Sequence, residues 1–209
     1  MRLILVRHAL PHRGEAGENG VADPGLTELG RRQAARVVGA VRDERIAAIH
    51  TSPQRRARET AEPLATALGT APTVTAGLAE YDAADRHYVP VHEMAEADPA
   101  AWARMLAGQL PEHVDLEAFR LRVEGTLGEI ADTHPGAATV VCFAHAGTIN
   151  VYLATLLGIA RPLSFPLDYA GITRVTLSRG GRRAVRTVNE IAHVADLLDP
   201  ATPAPRSAG

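Results

Sequence analysis

The sequence predicts an α/β fold in which helices cover both faces of a mostly parallel central sheet, as a three-layer α/β/α sandwich. Short apolar runs alternate along the chain with segments in which apolar residues recur at helical spacing. Two of the apolar runs end abruptly at charged residues or histidines, as buried parallel strands do at a binding edge. No shift in composition divides the 209 residues, so a single domain is expected over 1–199.

The chain begins with a predicted strand and a predicted helix. Residues Leu3 to Val6 form a mostly branched apolar run that stops at Arg7 and His8. Such a run is typical of a buried parallel strand that delivers two polar residues to its carboxyl end. Residues Leu26 to Val41 show helical spacing of apolar positions, and Thr27 is placed to cap that helix.

A second strand and a second helix follow. The strand is predicted over Ile46 to Ile49. Ser52 is expected to cap the second helix. Pro53 follows it in the first turn, where a proline loses no hydrogen bond that the helix needs. Gly69 is a natural stop for this helix, and Pro63 inside it should kink or split it.

The middle of the chain is predicted to be a helical insertion over about 91–133. It follows a weaker predicted strand at 73–75 and is interrupted at Pro99 and at 110–111, where a second proline lies. The His-Pro-Gly sequence at 134–136 is expected to end the insertion.

The pattern of the first strand recurs late in the chain. Residues Thr139 to Ala144 form a continuous apolar run that ends at His145. This run predicts a second buried strand with a histidine at its carboxyl end. A helix is predicted to open at Ala146 and to end near Gly158.

A hairpin and a tail complete the predicted organisation. Strands at 172–177 and 184–188 flank an Arg-Gly-Gly turn at 179–181. Residues 200–209 are rich in proline and small residues and are expected to be disordered. Because ligands of such sheets bind beyond the carboxyl ends of the strands, the polar residues at those ends are candidates for a site.

Composition narrows the function classes. The net charge of -2 and the pI of about 6.5 argue against nucleic acid or an anionic membrane surface as a partner. Apolar stretches such as 151–160 are too short to span a bilayer, and the apolar start lacks signal-peptide features, so a soluble cytoplasmic protein is expected. The single cysteine, Cys142, cannot form an internal disulfide and is predicted to be a buried core residue.

Four short motifs occur in order, each at a predicted strand end or helix start. They are Leu5-Val-Arg-His8, Asp23-Pro-Gly-Leu-Thr-Glu-Leu-Gly30, Ser52-Pro-Gln-Arg-Arg-Ala-Arg-Glu-Thr60 and Phe143-Ala-His-Ala-Gly147. Together they resemble the signatures of the histidine phosphatase superfamily, whose fold is phosphoglycerate-mutase-like. The resemblance spans residue 3 to about residue 158.

The resemblance implies phosphoryl transfer through a histidine. His8 resembles the nucleophile, and His145 resembles the second pocket histidine, which donates a hydrogen bond to the phosphoryl oxygens. Arg7 and Arg56 resemble the two arginines that clamp the phosphate, since a planar guanidinium fork suits phosphate oxygens. Glu80 resembles the general acid that protonates the leaving alkoxide and then activates water.

The protonation states of these groups decide whether they can act. His8 must be neutral to attack, and two nearby guanidiniums disfavour its protonation. A hydrogen bond from one ring nitrogen to a backbone carbonyl would leave the other nitrogen free. The segment after Glu80 lacks the aromatic and glycine pattern usual in the family, so Asp82 and Asp85 stay open as alternative acids.

The chain departs from the family pattern around the pocket as well. Ala9 and Ala146 stand where glycine usually follows each histidine, which adds a methyl group beside the pocket in both places. The loop after the first motif has no asparagine where the family commonly has one. Arg13 or His12 is expected to bind phosphate in its place.

Three functions remain open, and the first is favoured. They are a phosphomonoesterase acting on a small phosphorylated metabolite, a phosphoglycerate-mutase-type isomerase, and a catalytically silent phospholigand-binding module. No histidines stand at metal-ligand spacing with a supporting carboxylate, so neither a metal nor another cofactor is expected. The identity of the substrate and the oligomeric state stay open, with a homodimer as one possibility.

Overall fold

The computed structural model describes residues 1–134, 136–178 and 182–198. Its strands are β1 (Arg2–Arg7), β2 (Gly14–Glu15), β3 (Ile46–Thr51), β4 (Thr73–Val74), β5 (His87–Tyr88), β6 (Thr139–Ala144), β7 (Ile172–Leu177) and β8 (Arg183–Glu190). Its α-helices are α1 (Glu28–Val41), α2 (Arg55–Leu68), α3 (Met94–Ala97), α4 (Pro99–Leu106), α5 (Leu116–Thr133) and α6 (Ala146–Leu157). Short 3₁₀ turns lie at Ala76–Leu78, Val91–Glu93 and Ala195–Leu197.

Six strands form the central sheet in the order β4-β3-β6-β1-β7-β8. Strands β4, β3, β6 and β1 run parallel to one another, and β7 and β8 add an antiparallel edge. In the register of β1 against β6, Arg7 lies opposite Ala144. Both strands therefore end at the same edge, where His8 and His145 follow directly.

Alternate residues of β1 face two separate hydrophobic cores, one on each side of the sheet. On one side the strand packs with α5 and α6, through the buried side chains of Leu3, Leu5, Phe119, Val123, Leu127, Ile149 and Tyr152. On the other side it packs with α1 and α2, through Ile4, Val6, Ala34, Val37, Ala61 and Leu64. This burial on both faces explains why the strand reads as a continuous apolar run. The predicted α/β fold with a mostly parallel sheet is confirmed.

Several predicted elements are present with their predicted ends. Thr27 caps α1, because its hydroxyl accepts a hydrogen bond from the Gly30 backbone N–H at 2.9 Å. Gly69 and Gly158 end α2 and α6 in the left-handed conformation that glycine adopts without steric cost. Cys142 is fully buried on β6, as predicted.

The structure departs from the sequence-based expectations at three places. Ser52 does not cap a helix that starts at Pro53, since α2 begins at Arg55 and the Ser52 hydroxyl lies against His145 instead. Of the two effects predicted for Pro63, the split is wrong, because α2 runs unbroken from Arg55 to Leu68 with its apolar face buried against the sheet, and the kink stays a prediction. The two-residue strands β2 and β5, which pair with each other, were not predicted because neither is long enough to show a period.

The helical insertion and the strands of the hairpin occur where the sequence predicts them. The predicted helical insertion contains α3, α4 and α5, with breaks before Pro99 and around 110–111, and α5 ends at Thr133. Strands β7 and β8 pair antiparallel. The hairpin turn at 179–181, Pro135 and the expected disordered tail at 200–209 lie outside the described residues. Among the described helices, none is long and apolar enough to cross a membrane.

Candidate active site

Two strand ends and one helix start bring four basic side chains together. Arg7 is the last residue of β1, His8 follows it, and His145 stands between β6 and α6. Arg56 lies in the first turn of α2. All four side chains are buried, and the rings of His8 and His145 lie 5.1 Å apart between centroids. The structure thus unites residues from three different parts of the sequence.

His8 is held in the tautomer that a nucleophile needs. Its Nδ1 lies 2.8 Å from the carbonyl oxygen of Ala9, so Nδ1 carries the proton and donates, and Nε2 keeps a free lone pair. Burial, followed by the charges of Arg56 and Arg7, lowers the pKa of His8 well below its usual value. His8 is therefore neutral at physiological pH.

His145 is oriented by a serine. Its Nε2 lies 2.7 Å from Ser52 Oγ, and its Nδ1 is buried with no hydrogen-bond partner among the described residues. Burial, then the charges of Arg56 and His8, lowers the pKa of His145. With the Ser52 hydroxyl donating to Nε2, the neutral ring carries its proton on Nδ1, which is then a donor for an anion in the pocket.

The two arginines are each held by only part of the guanidinium group. Arg7 donates from Nη1 to the Leu167 carbonyl oxygen, and its guanidinium carbon lies 4.0 Å from the ring centroid of Tyr169. Arg56 donates from Nη2 to both carboxylate oxygens of Asp82, at 2.7 and 2.9 Å. Within the described chain, Arg7 Nε and Arg56 Nε and Nη1 are buried without a partner. Such donors are costly unless an acceptor occupies the pocket.

Glu80 brings a carboxyl group into the same buried region. Its Oε2 accepts a hydrogen bond from the Gly147 backbone N–H at 2.7 Å, and its Oε1 lies 3.1 Å from the N–H of Tyr81. Burial and then the charge of Asp82 raise the pKa of Glu80 to about 7. A carboxyl group that keeps its proton near neutral pH is suited to donate it to a leaving oxygen.

The alternative acids stand in different surroundings. Asp82 is paired with Arg56 and also accepts a hydrogen bond from Gln54 Nε2 at 2.7 Å. Asp85 lies 3.8 Å from His113, with a half-exposed side chain. Burial raises the pKa of Asp85 as well, but Glu80 is the most buried of the three carboxyl groups, which favours it as a general acid.

Comparisons with known proteins agree with this geometry. Residues 3–190 match the family model described as the histidine phosphatase superfamily, branch 1. The chain belongs to the histidine phosphatase superfamily. The predicted membership is thereby confirmed, and the catalytic roles of individual residues stay predictions.

Relatives and solved structures of this superfamily resemble the whole chain. A putative phosphoserine phosphatase 2 of Hydrogenobacter thermophilus is 30% identical over 203 residues, which cover 94% of this chain and 98% of the relative. A mycobacterial glucosyl-3-phosphoglycerate phosphatase superposes with a TM-score of 0.72 at 24% identity, over 90% of this chain and 98% of the other. A phosphoserine phosphatase of Entamoeba histolytica gives 0.71 at 20% identity, over 92% and 98%. These structures confirm the phosphoglycerate-mutase-like fold.

Arg13 and His12, which are predicted to bind phosphate in place of the family's asparagine, lie in the loop between β1 and β2. The Arg13 side chain is exposed, and its Nη1 is 3.4 Å from Glu93 Oε2. His12 is exposed as well, and both line a cavity of about 370 Å³ formed by residues of the loop 12–25. The structure does not bring either side chain into the buried group, so their role stays a prediction.

The alanines that replace the usual glycines of the superfamily are accommodated. Ala9 is fully buried, and its backbone N–H donates to Thr60 Oγ1 at 3.0 Å. Ala146 is partly buried at the start of α6. Neither extra methyl group disturbs the hydrogen bond of the His8 ring or that of the His145 ring.

Sequence reasoning missed four side chains of the site. Tyr88 and Tyr169 stack on the guanidinium groups of Arg56 and Arg7, and no sequence signal marks either tyrosine. Ser52 was interpreted as a helix cap, and Gln54 was passed over within its motif. Among the described residues, no group of three or more histidine, cysteine, aspartate or glutamate side chains is placed to hold a metal ion.

Proposed function

We propose that this chain hydrolyses a small phosphorylated metabolite through a phosphohistidine formed on Nε2 of His8. The observation that carries the proposal is a set of buried nitrogens that have no hydrogen-bond partner in the described parts of the chain, Arg7 Nε, Arg56 Nε and Nη1, and His145 Nδ1, in residues that neighbour a neutral His8. A phosphoryl group presents several acceptor oxygens to such donors. Phosphatase activity also agrees with the family and with the phosphatase-named relatives.

The first step transfers the phosphoryl group to the enzyme. The lone pair of His8 Nε2 attacks phosphorus while the bond from phosphorus to the leaving oxygen breaks. The leaving oxygen takes that electron pair and receives the proton of the Glu80 carboxyl group. The hydrogen bond from His8 Nδ1 to the Ala9 carbonyl stabilises the positive charge that develops on the ring.

The second step returns the enzyme to its starting state. The Glu80 carboxylate takes a proton from water, and the water oxygen attacks the phosphorus of the phosphohistidine. The nitrogen–phosphorus bond breaks, its electron pair returns to His8 Nε2, and inorganic phosphate leaves. Two guanidiniums and His145 stabilise the charge on the phosphoryl oxygens in both steps.

The substrate class follows from the relatives and from the charge of the chain. The relatives are named as phosphatases of phosphoserine and of glucosyl-3-phosphoglycerate, and both compounds are phosphate esters of alkyl alcohols. A net charge of -2 gives no basic field that would favour nucleic acid. Small alkyl phosphates are therefore the proposed substrates, and a cytoplasmic location and a homodimer remain predictions from the sequence.

The proposal is tested by phosphate release from a panel of small phosphate esters, with His8→Ala as the key variant. Wild type should release phosphate continuously, and His8→Ala should lose at least about 1,000-fold in kcat while staying folded. Circular dichroism and thermal unfolding of both proteins supply the folding control. Near-normal turnover by His8→Ala would refute the phosphohistidine route.

The alternative isomerase activity is separated by following both products from 3-phosphoglycerate. A mutase shields its phosphohistidine from water between two half-reactions, which calls for a closed site. Inorganic phosphate should appear without a bisphosphorylated primer. If 2-phosphoglycerate forms much faster than phosphate, and only after priming, the chain is an isomerase instead.

A further inference from the structure

Gln54 stands at the start of α2, yet its side chain does not cap that helix. The residue has an extended backbone just before Arg55, and its side chain makes no capping hydrogen bond. The buried amide reaches the segment that carries Glu80 instead. Its Oε1 accepts a hydrogen bond from the Glu80 backbone N–H at 2.7 Å, and its Nε2 donates to Asp82 Oδ1 at 2.7 Å.

The two partners fix both the identity and the orientation of this side chain. One partner is an N–H donor and the other is a carboxylate acceptor, so the amide oxygen and nitrogen each have only one suitable place. A hydrocarbon of similar size would leave the buried N–H of Glu80 unpaired, which is costly. The site therefore calls for an amide at this position.

The peptide group between Ala79 and Glu80 is held from both of its polar ends. Its N–H donates to Gln54, and its carbonyl oxygen accepts from Arg122 Nη1 at 3.0 Å and from Thr148 Oγ1 at 3.3 Å. Arg122 also donates to the carbonyl of Gly77 at 2.8 Å. These hydrogen bonds hold the backbone at Glu80 independently of the contacts that its carboxyl group makes.

Gln54 ties that backbone to the turn that carries the phosphate-binding groups. Ser52 and Arg56 lie two residues on either side of it, and they contact His145 and Asp82 respectively. We propose that Gln54 is a positioning residue that sets the distance between the Glu80 carboxyl group and the phosphoryl pocket. The inference rests on the proposed function, because it assumes that Glu80 protonates the leaving group.

Proton transfer requires heavy atoms within hydrogen-bond reach, so a small displacement of Glu80 slows it steeply. The effect should fall on substrates whose leaving alkoxide needs a proton. Aryl phosphates, whose phenolate leaves with little protonation, should be nearly unaffected. The dependence of the rate on the leaving group therefore distinguishes the two roles, because a purely structural role of Gln54 would leave that dependence unchanged.

The test is a comparison of Gln54→Leu with wild type over alkyl and aryl phosphates of graded leaving-group pKa. We expect kcat/KM to fall about 10- to 100-fold for alkyl phosphates, with the slope of log kcat/KM against leaving-group pKa becoming more negative. Gln54→Asn, which keeps both polar ends on a shorter side chain, serves as a second variant if Gln54→Leu unfolds. It should show the same selectivity with a smaller loss.

Gln33→Leu is a matched control. Gln33 is a second buried amide that bridges two segments, accepting from the Leu10 backbone N–H at 2.9 Å and donating to the Leu197 carbonyl at 3.0 Å. The same substitution there removes the same kinds of hydrogen bond, away from Glu80. We expect it to lower stability without changing the dependence on the leaving group.

Glu80→Gln and the double variant separate the two hypotheses. If Glu80→Gln is selective and Gln54→Leu lowers all substrates equally, the positioning role of Gln54 is wrong and the proposed function stands. If Glu80→Gln itself shows no selectivity, the assigned acid is wrong and the role of Gln54 falls with it. Adding Gln54→Leu to Glu80→Gln should cause no further leaving-group-dependent loss, and a large further selective loss would overturn the proposal.

Discussion

Two carboxyl groups separated by one residue stand in different surroundings. Asp82 faces the guanidinium of Arg56, which donates to both of its carboxylate oxygens. Glu80 is buried and contacts backbone N–H groups, and the charge of Asp82 adds to the effect of burial on its pKa. One type of functional group thus occupies two environments, and we propose the buried one, Glu80, as the acid.

The raised pKa of Glu80 predicts an alkaline limit for hydrolysis of alkyl phosphates. Because the acid must be protonated, the ratio of kcat/KM for an alkyl phosphate to that for an aryl phosphate should fall as pH rises through about 7. The lowered pKa of His8 keeps the nucleophile neutral, so no matching loss is expected just below pH 6.5. Initial rates across the pH range measure the ratio.

Glu80→Gln is the control for this pH dependence. The kcat/KM of the variant for alkyl phosphates should be lower by about 100- to 10,000-fold, and the alkyl-to-aryl ratio should no longer fall at alkaline pH. If the alkaline decrease in the ratio persists in Glu80→Gln but disappears in Asp82→Asn or Asp85→Asn, that aspartate is the general acid instead.

The candidate site lies where buried strand ends meet helix starts. At the start of α6 the Gly147 backbone N–H donates to Glu80. A Cβ atom at Gly147 would lie 2.5 Å from Glu80 Oε1 and 2.9 Å from Tyr81 Cε1. The absence of a side chain at this junction is what lets the acid approach the helix.

Gly147→Ala should therefore damage the site through the acid. The added methyl group forces the Glu80 carboxyl group out of its place, so we expect lower activity on alkyl phosphates together with lower stability. Gly39→Ala in α1 is the control, because a Cβ there meets nothing within 4 Å. That variant should gain about 0.5–1 kcal/mol in the free energy of unfolding, with unchanged activity. A Gly147→Ala protein with wild-type rates on alkyl phosphates would show that the acid tolerates the displacement.

For the whole molecule, positive charge is concentrated locally in a chain whose net charge is -2. Strand β1 and helix α2 bring Arg7 and Arg56 to the edge where His8 and His145 lie, and low-dielectric surroundings strengthen the field of the two guanidiniums there. In the proposed reaction, these two guanidiniums supply the charge that divalent cations supply in other phosphoryl-transfer enzymes. A single domain over 1–199 remains a prediction that agrees with this arrangement.

Activity should accordingly survive removal of metal ions. We expect unchanged kcat/KM after exhaustive dialysis against a chelator, and inhibition by vanadate, which adopts a five-coordinate geometry like the transition state. Phosphate release before and after chelation measures the first expectation. A loss that added zinc or magnesium restores would contradict it.

Much of the fold could be predicted because periodicity reports burial. The runs that became β1 and β6 are apolar throughout since both faces of these strands are covered, and Thr27, Gly69 and Gly158 mark helix ends through local backbone chemistry. Strands β2 and β5, with two residues each, carry no such period. Their pairing depends on contacts across more than 70 residues of chain, which local patterns do not record.

The sequence by itself determined the α/β architecture and the superfamily, and its motifs indicated Arg7, His8, Arg56 and His145 as the candidate site. Only the tertiary structure distinguishes the surroundings of Glu80 from those of Asp82 and Asp85, because burial and neighbouring charge are not local in sequence, and Glu80 as the acid stays a prediction. It also showed that Ser52 orients His145 and that Gln54 holds Glu80. Such contacts join residues 26 to 93 positions apart, and a chain acquires them only when its strands pair and bring their ends to one edge.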